Sequence, residues 1–342
     1  MKYFSTFSGV GGFELGIEYA NRPNLRDRTK VLREDLPNIE EREKRFTCVG
    51  FSEIDKYASA VLKYHYPNIK NYGDIKTINW SDVPDFDLLV GGSPCQDLSV
   101  AGKRAGITGE RSGLFAEFIR ALQEKKPEYF IWENVKGALS SNKGWDFTEV
   151  QTQMANCGYE LWWQVLNAKD FGVPQNRERI FVVGVRGERP REVFFERGAN
   201  KKDIEQLNHP KHSNDRAHSD EGISPTLNTM QGGNRQPFIA ALRGRYEEDG
   251  TIKQQLEPRK DGLSNTLTAV QKDNNIVNGT RIRRLTPIEC ERLMSWPDDW
   301  TQYGDFDGEV KEISDTQRYK MCGNGVVSEV VRYVVESLVD CA

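Results

Sequence analysis

The first 186 residues alternate between short apolar runs of strand length and amphipathic runs of helical period. This alternation is typical of an α/β fold with a doubly wound, mostly parallel sheet. The apolar runs predict six strands, at Lys2–Phe7, Phe46–Phe51, Phe86–Val90, Tyr129–Trp132, Leu161–Leu166 and Ile180–Val185. The amphipathic runs predict helices at Gly12–Ala20, Lys56–Tyr64, Leu114–Glu124 and Phe147–Met154. Residues 21–45 interrupt the pattern with charges, and we interpret them as an exposed helical insertion.

The pattern changes after Gly187, where apolar periodicity gives way to Gly, Asn, Pro, Gln and Arg. Residues 222–234 resemble residues 262–274 at a spacing of 40, and two copies favour twin strand–turn units over a solenoid. A helical pattern resumes at Pro287–Met294, and an apolar helix at Val326–Val339 follows a glycine turn. We predict one domain over 1–190 plus 312–342, on which the last helix packs, and a smaller irregular domain with its hinge over 191–300.

The composition excludes a membrane or disulfide-rich secreted protein. The 342 residues are 37% hydrophobic, and no run approaches the roughly 18 apolar residues of a membrane span. The N-terminus enters a strand pattern at once, without a secretory signal. Six scattered cysteines show no CxxC spacing, so we expect neither disulfides nor a metal site, and a cytoplasmic protein. The net charge is −4, but residues 186–284 hold 18 basic against 14 acidic residues, which permits DNA binding there.

The strongest candidate for chemistry is Cys95, in the segment Gly91-Gly92-Ser93-Pro94-Cys95-Gln96. It follows a predicted strand, and open sheets place their chemistry where strands end. A lone cysteine is usually a small buried hydrophobe. The polar loop that follows, with Lys103 and Arg104, instead favours an exposed, reactive thiolate. Glu133 ends another predicted strand after an aromatic run, which predicts partial desolvation and a raised pKa. If the two strands are parallel neighbours, thiol and carboxyl share one crevice.

A glycine turn, Phe7 to Gly12, follows the first strand and opens a helix, as in nucleotide-binding folds. Glu14 stands where a dinucleotide fingerprint has its third glycine, and its charge would repel a pyrophosphate. The turn therefore suits an adenosyl ligand without phosphates. Glu53 is placed to bind ribose hydroxyls, and Asp74 to accept from an adenine amino group. Each acid alone, Asp55 especially, is more often a helix cap.

Two arginines precede the sixth predicted strand, in Gln175-Asn176-Arg177-Glu178-Arg179. In an extended run Arg177 and Arg179 share a face. A salt-bridged structural arginine is an equally good interpretation of either one by itself.

Six motifs occur in the order of one known family and cover nearly the whole chain. They are Phe7–Gly12, Pro94-Cys95-Gln96, Glu133-Asn134-Val135, Gln175–Arg179, Arg284-Leu285-Thr286-Pro287 with Glu291, and Gly323-Asn324-Gly325-Val326-Val327. On these residues the chain resembles the DNA cytosine-5 methyltransferases of the bacterial and phage restriction-modification type. Ser93 stands where many members carry Phe, and the 21–45 insertion is longer than in compact members.

The resemblance implies a Rossmann-like methyltransferase fold whose variable second domain recognises the target sequence. It implies attack of the Cys95 thiolate on C6 of a cytosine flipped out of double-stranded DNA, followed by methylation of C5. Glu133 would hold N3 and the amino group, and Arg179 would bind O2 with support from Arg177.

The resemblance also implies S-adenosyl-L-methionine as the methyl donor, with no metal. Its expected contacts are Phe7, Gly9, Val10, Gly12, Glu53, Ile54, Asp74, Ile75, Gly92, Pro94, Leu114, Asn324, Gly325 and Val326. For DNA we expect contacts from the loop after the nucleophile and from the second domain. These are Gln96, Ser99, Val100, Ala101, Lys103 and Arg104 in the loop, and Arg235, Gln236, Arg243 and Arg245 in the domain.

Three alternatives stay open: a tRNA cytosine-5 methyltransferase, a catalytically silent DNA-binding module, and a nicotinamide oxidoreductase. The intact Cys95, Glu133 and Arg179 disfavour the second, and Glu14 disfavours the third. We expect a monomer, and a cognate restriction endonuclease as a functional rather than physical partner.

Overall fold

The computed structural model describes residues 1–22, 45–94, 113–187, 237–246, 252–259, 274–278 and 281–340. All six predicted strands of the first part form one sheet, in the order β2-β1-β3-β4-β6-β5. Their bounds are Lys2–Thr6 (β1), Thr47–Ser52 (β2), Leu88–Gly91 (β3), Tyr129–Val135 (β4), Tyr159–Asn167 (β5) and Glu178–Arg186 (β6). Neighbours among β1 to β4 pair in parallel, and β6 runs antiparallel to β4 and β5. The mostly parallel α/β sheet is thus confirmed.

Seven α-helices lie in the described parts of the chain. They are Gly12–Asn21 (α1), Lys56–His65 (α2), Gly113–Lys125 (α3), Trp145–Asn156 (α4), Pro287–Leu293 (α5), Asp315–Asn324 (α6) and Ser328–Asp340 (α7). Two of these helices begin at residues whose side chains cap the helix N-terminus. The Asp55 side chain caps α2, while Thr286 and Glu289 form a capping box at α5. The pattern did not predict α6, which has few apolar positions and contains the first part of the expected glycine turn.

Hydrophobic cores cover both faces of the sheet, as a doubly wound fold requires. Tyr3 belongs to one core and its neighbour Phe4 to the other, because successive strand residues alternate between faces. On the first face, α7 packs on α1 so closely that a Cβ at Gly16 would lie 2.6 Å from Val331. The expected return of the last helix to the first domain is therefore confirmed.

A second, antiparallel sheet lies within the predicted second domain. Its strands are Pro237–Tyr246 (β7), Ile252–Arg259 (β8), Asn274–Asn278 (β9) and Arg281–Arg284 (β10), in the order β10-β9-β7-β8. From Leu285 onwards the chain rejoins the core that contains Tyr3, through residues such as Trp296 and Ile313. A hairpin of Tyr303–Phe306 (β11) and Glu309–Glu312 (β12) packs beside α2. The domain boundaries stay a prediction. Residues 23–44 of the predicted 21–45 insertion, and residues 222–234 and 262–273 of the repeat, lie outside the described residues.

Within the described ranges, no helix combines the length and the apolar character needed to cross a membrane.

Candidate active site

A cavity of about 420 Å³ lies at the carboxyl ends of β1, β2, β3 and β4. Open α/β sheets bind their ligands at this edge, where the strand order reverses around the first strand. Fourteen of the residues predicted from the sequence line it together. They are Phe7, Gly9, Val10, Glu53, Ile54, Asp74, Ile75, Gly92, Pro94, Leu114, Glu133, Arg179, Asn324 and Gly325.

The glycine turn after β1 forms one wall of the cavity. Phe7 has a φ of 54°, which is unusual for a side chain of its size, and Gly9 has a φ of 56°. A Cβ at Gly9 would meet no atom of the part of the chain that the structure describes within 4 Å, so these residues leave open space beside the turn's backbone. The Trp300 indole donates to the Val10 carbonyl at 2.9 Å and holds the turn from behind.

Gly12 and Val326 were expected to contact a cofactor, but neither lines the cavity. A Cβ at Gly12 would lie 2.8 Å from the Val326 side chain. The two residues pack against each other where α1 meets the segment before α7. Gly12 is therefore small because two backbones approach closely there.

The carboxyl of Glu14 does not face the cavity either. It is fully buried beside the hydroxyls of Ser5 and Ser8. Burial raises its pKa from 4.5 to about 7. The Ser8 hydroxyl donates to Ser5 Oγ at 2.8 Å, and neither carboxylate oxygen of Glu14 has a hydrogen-bond partner among the described residues. Because Glu14 lies behind the turn, its carboxyl does not face a ligand in the cavity. The expected repulsion of a pyrophosphate by Glu14 therefore has no basis in the structure.

Glu53, at the end of β2, joins the second strand to the glycine turn. Its Oε2 accepts from the Gly9 amide at 2.7 Å, and its Oε1 accepts from the Ile54 and Asp55 amides at 2.9 and 2.7 Å. Burial raises the pKa of Glu53, and the amide hydrogen bonds counteract that rise. Beside it, Ile54 keeps 70% of its surface exposed, an apolar surface at the cavity.

The other two acids near this edge both cap helices. Asp55 accepts from the Tyr57 and Ala58 amides, and its second oxygen lies 2.6 Å from the Lys320 ammonium. Asp74 caps a short 3₁₀ turn through one oxygen, which accepts from the Lys76 amide at 3.0 Å. It follows a single parallel bridge between Phe51 and Asn71 rather than a full strand.

Glu133 and Arg179 form the charged centre of the site. The Arg179 Nε lies 3.1 Å from Glu133 Oε1, across the antiparallel pair of β4 and β6. Burial raises the pKa of Glu133, and the charges of Arg179 and Arg177 counteract that rise. The predicted desolvation and raised pKa of this carboxyl are thus confirmed.

The end of β3 is held against Glu133. A Cβ at Gly92 would lie 2.7 Å from Glu133 Oε2 and 3.3 Å from the Glu133 carbonyl oxygen, so any larger residue there would displace the Glu133 carboxylate. The Trp132 indole donates to Ser93 Oγ at 3.0 Å, and the Asn134 amide donates to the Ser93 carbonyl at 3.2 Å. Pro94 lines the cavity, and Cys95 is the next residue along the chain.

Several predicted residues lie beyond what the structure describes. They are Cys95, Gln96, Ser99, Val100, Ala101, Lys103, Arg104, Arg235 and Gln236. Arg243 and Arg245 lie on β7.

Arg177 is buried and does not line the cavity. Its Nη2 donates to the carbonyls of Gly323 and Gly325, at 3.0 and 2.6 Å, on either side of Asn324. Burial lowers the pKa of Arg177 well below its ordinary value, and the charge of Arg179 adds to this effect. The residue was expected to support Arg179, but its described hydrogen bonds hold the segment that presents Asn324.

Sequence reasoning missed the contribution of α6. Lys320, Met321 and Gly323 line the cavity together with Asn324. Lys320 and Asn324 are four residues apart, a spacing that places them on the same face of a helix. If residues 315–324 had been predicted as a helix, the expected role of Asn324 would have identified Lys320, on the same helical face, as a further cavity residue. Glu291, from the fifth motif, is buried beside Arg318 at 3.0 Å and joins α5 to α6.

The open sheet and its edge cavity are those of α/β enzymes that bind nucleosides or nucleotides. The family described as C-5 cytosine-specific DNA methylase matches residues 1–340. The Type II methyltransferase M.Bsp6I of Bacillus sp. (strain RFL6) is 31% identical, with 98% of this chain and 97% of that protein covered. The Type II methyltransferase M.SsoII of Shigella sonnei is also 31% identical, with 97% of this chain and 78% of that protein covered. The chain belongs to the C-5 cytosine-specific DNA methylase family and is a DNA (cytosine-5)-methyltransferase.

Solved structures agree on the fold. The Dnmt2 methyltransferase of S. pombe superposes with a TM-score of 0.62 at 18% identity, with 99% of this chain and 98% of that chain covered. The Entamoeba histolytica methyltransferase EhMeth gives the same TM-score at 15% identity, with the same coverage.

Proposed function

We propose that this enzyme methylates C5 of cytosine within one short sequence of double-stranded DNA, through a covalent bond between Cys95 and C6 of a flipped base. The observation that carries the proposal is the Glu133–Arg179 pair in the cavity, beside the strand end that leads to Cys95. A buried acid and a guanidinium on one side of a pocket suit the edge of a pyrimidine, which has N3 and O2 adjacent.

The cavity chemistry suits S-adenosyl-L-methionine. The Phe7 ring and the exposed Ile54 provide apolar surface for an adenine, and Glu53 and Asp74 provide carboxylates for hydroxyl and amino donors. The glycine turn has open space beside Gly9. When bound, this cofactor supplies an electrophilic methyl group. Asn324, held between the two carbonyls that Arg177 binds, would complete the site from α6.

Three side chains of the enzyme, Cys95, Glu133 and Arg179, would act on the flipped cytosine in turn. The Cys95 sulfur forms a bond to C6, and electron density moves toward N3 and O2. Glu133 in its protonated form donates at N3, and Arg179 donates at O2, each worth about 3–4 kcal/mol in the transition state. After C5 gains its methyl group, water removes the C5 proton, and the electron pair of that bond restores the C5–C6 double bond. The bond from sulfur to C6 then breaks to return the Cys95 thiolate, and N3 returns its proton to Glu133.

The target cytosine must flip out of the base stack of the duplex, which costs roughly 2–4 kcal/mol. We propose that the loop after Cys95 contacts the phosphates through Ser99, Lys103 and Arg104, while Val100 or Ala101 fills the vacated space. Arg235, Gln236, Arg243 and Arg245 in the second domain would read base edges. The enzyme would act as a monomer, alongside a restriction endonuclease that recognises the same sequence.

Bisulfite sequencing of plasmid from cells expressing the chain tests this function. We expect protected cytosines in one short motif, and none with Cys95→Ala. Parallel transfer assays on duplex DNA and tRNA distinguish the two substrates. Unmodified plasmid from well-expressed parent protein, or transfer to tRNA alone, would refute the proposal.

A further inference from the structure

Arg120, in the middle of α3, binds the backbone of a segment that lines the cavity. Its Nη2 donates to the Ile75 carbonyl at 2.8 Å, and its Nη1 donates to the Ile78 carbonyl at 3.0 Å. Ile75 begins the short 3₁₀ turn that Asp74 caps, and Ile78 follows the end of that turn. Asp74 and Ile75 both line the cavity. One guanidinium therefore holds the backbone beside two cavity residues, from 42 and 45 residues away along the chain.

The two carbonyls that Arg120 binds lie where a short helical turn lacks its own donors. Carbonyls at the end of a helix have no partner further along it, and a 3₁₀ turn has poorer hydrogen-bond geometry than an α-helix. The Ile78 amide gives the Ile75 carbonyl a bond of 3.3 Å, which is long. A guanidinium presents several donors in a fixed plane, so one side chain can satisfy two carbonyls together. Arg120 thus supplies both bonds and fixes the direction in which the turn points.

The Arg120 side chain is itself held on α3. Glu117 and Glu124 accept from it at 2.7 and 3.1 Å, one helical turn before and one after. Its guanidinium carbon also lies 5.9 Å from the centre of the Trp80 ring, within the range of a cation–π contact. The side chain is 30% exposed, so the two ion pairs orient the guanidinium more than they stabilise the fold.

Apolar packing also joins α3 to the turn, but it does not fix the turn's orientation. Phe118 and Ile119 share a hydrophobic core with Ile75. The hydrophobic effect is non-directional, whereas a hydrogen bond weakens steeply when its angle is poor. The hydrogen bonds described within residues 74–78 join the turn to itself, and those from Arg120 join it to α3. The directional constraint on Asp74 from α3 therefore comes from Arg120.

We propose that Arg120 is a positioning residue that sets the preference of the cofactor pocket for adenine. It does so through its two carbonyl bonds, which orient the Asp74 carboxylate toward the adenine amino group. This inference rests on the proposed function, in which Asp74 accepts from that group. Arg120 itself does not line the cavity. Its loss should therefore weaken recognition of the amino group more than binding of the rest of the cofactor.

The test compares parent and Arg120→Met, as full chains, by calorimetric titration of two ligands. One is S-adenosylhomocysteine, and the other is S-inosylhomocysteine, whose base has a carbonyl oxygen in place of the amino group. We expect the parent to prefer the first, because a carboxylate accepts from an amino group and repels a carbonyl oxygen. In Arg120→Met the affinity for S-adenosylhomocysteine should fall about tenfold, while that for S-inosylhomocysteine changes little. The KM for S-adenosylmethionine should rise, with the rate at saturation close to the parent's.

Arg332 on α7 offers a matched control. It pairs with Glu329, three residues before it, and Glu336, four residues after it, which is the arrangement of Arg120 and its two glutamates. Arg332 is not among the described residues that line the cavity. Arg332→Met therefore removes the same ion pairs without touching the turn, and we expect it to keep the parent's preference. Thermal unfolding of both variants shows whether a change in preference follows from lost stability.

A second variant, Arg120→Gln, carries the same test if Arg120→Met does not fold. Three outcomes would overturn the inference: a parent that binds both ligands equally, an unchanged preference in the Arg120 variants, and an equal loss of preference in Arg332→Met. Failure of the proposed function is measured separately, because the parent would then leave plasmid cytosines unmodified in the bisulfite assay, whatever its preference between the two ligands.

Discussion

The Glu133 carboxylate lies 3.1 Å from the Arg179 guanidinium, on antiparallel strands β4 and β6, with both side chains largely buried. Each charge offsets the desolvation of the other. The pair is also diagonal in the ladder, since Glu133 is opposite Phe181 and Val135 is opposite Arg179. An acid with a raised pKa is thus kept beside a permanent cation, a combination that suits donation to two neighbouring acceptors of one ring.

The first prediction concerns the pH dependence of catalysis. The protonated form of Glu133 donates, and burial raises its pKa, so the rate should fall as pH rises through that raised value. Glu133→Gln has an amide donor at every pH. We expect it to flatten this decline while lowering the rate by about 10²–10³. Single-turnover methyl transfer across pH measures both effects, and an equally steep decline in the variant would assign the titration to another group.

The second prediction tests the glycine before the nucleophile segment. Gly92→Ala would place a Cβ 2.7 Å from Glu133 Oε2 and displace that carboxyl. We expect a loss of about 10²-fold in transfer, because a shift near 1 Å at a reacting centre has such an effect. Gly113→Ala is the matched control, since a Cβ there meets no atom of the described residues within 4 Å. Equal activity of the two variants would contradict the close approach.

The third prediction separates Arg177 from Arg179. Arg177→Met removes the donors to the Gly323 and Gly325 carbonyls, which hold Asn324 at the cavity. Hydrogen bonds from a charged donor justify an expected loss of about ten- to a hundredfold in affinity for S-adenosylhomocysteine. Calorimetric titration measures it, with Arg292→Met, an exposed arginine on α5, as control. An unchanged affinity for S-adenosylhomocysteine, together with a lower methyl-transfer rate at saturating substrate, would instead indicate that Arg177 supports Arg179.

The fourth prediction concerns stability. The pKa of Glu14 is about 7 in the folded protein and 4.5 ordinarily, so the folded state binds more protons between these values. Stability should therefore fall as pH rises from 4.5 to about 7, by about 3 kcal/mol for this shift. Glu14→Gln removes that fall and stabilises the protein at pH 8.

Urea unfolding of parent and Glu14→Gln at several pH values measures the difference. The exposed Glu160→Gln on β5 serves as control and should behave like the parent. A parallel pH dependence in parent and Glu14→Gln would show that Glu14 does not titrate in this range.

What the sequence determined by itself is local. Strand and helix periodicity located β1 to β6, because a residue's burial on a sheet or helix repeats at a fixed spacing. The motifs also located the strand ends at Phe7, Glu53 and Pro94, because parallel strands present their carboxyl ends at one edge. The expected strand end at Glu133 was wrong, since β4 continues to Val135 and Glu133 pairs with Phe181 inside it. α6 was missed because it has few apolar positions, and a buried ion pair between Arg318 and Glu291 joins it to α5.

Only the tertiary structure decided which long-range partners these groups have. Arg177 and Arg179 are two residues apart and look equivalent in sequence, yet one binds the carbonyls around Asn324 and the other meets Glu133. Glu14, two residues after the glycine turn, lies buried behind it rather than in the cavity. Such partners come from segments up to 148 residues away along the chain, so no local pattern encodes them. Packing brings these segments together, and it thereby determines the pKa and the role of each charged group.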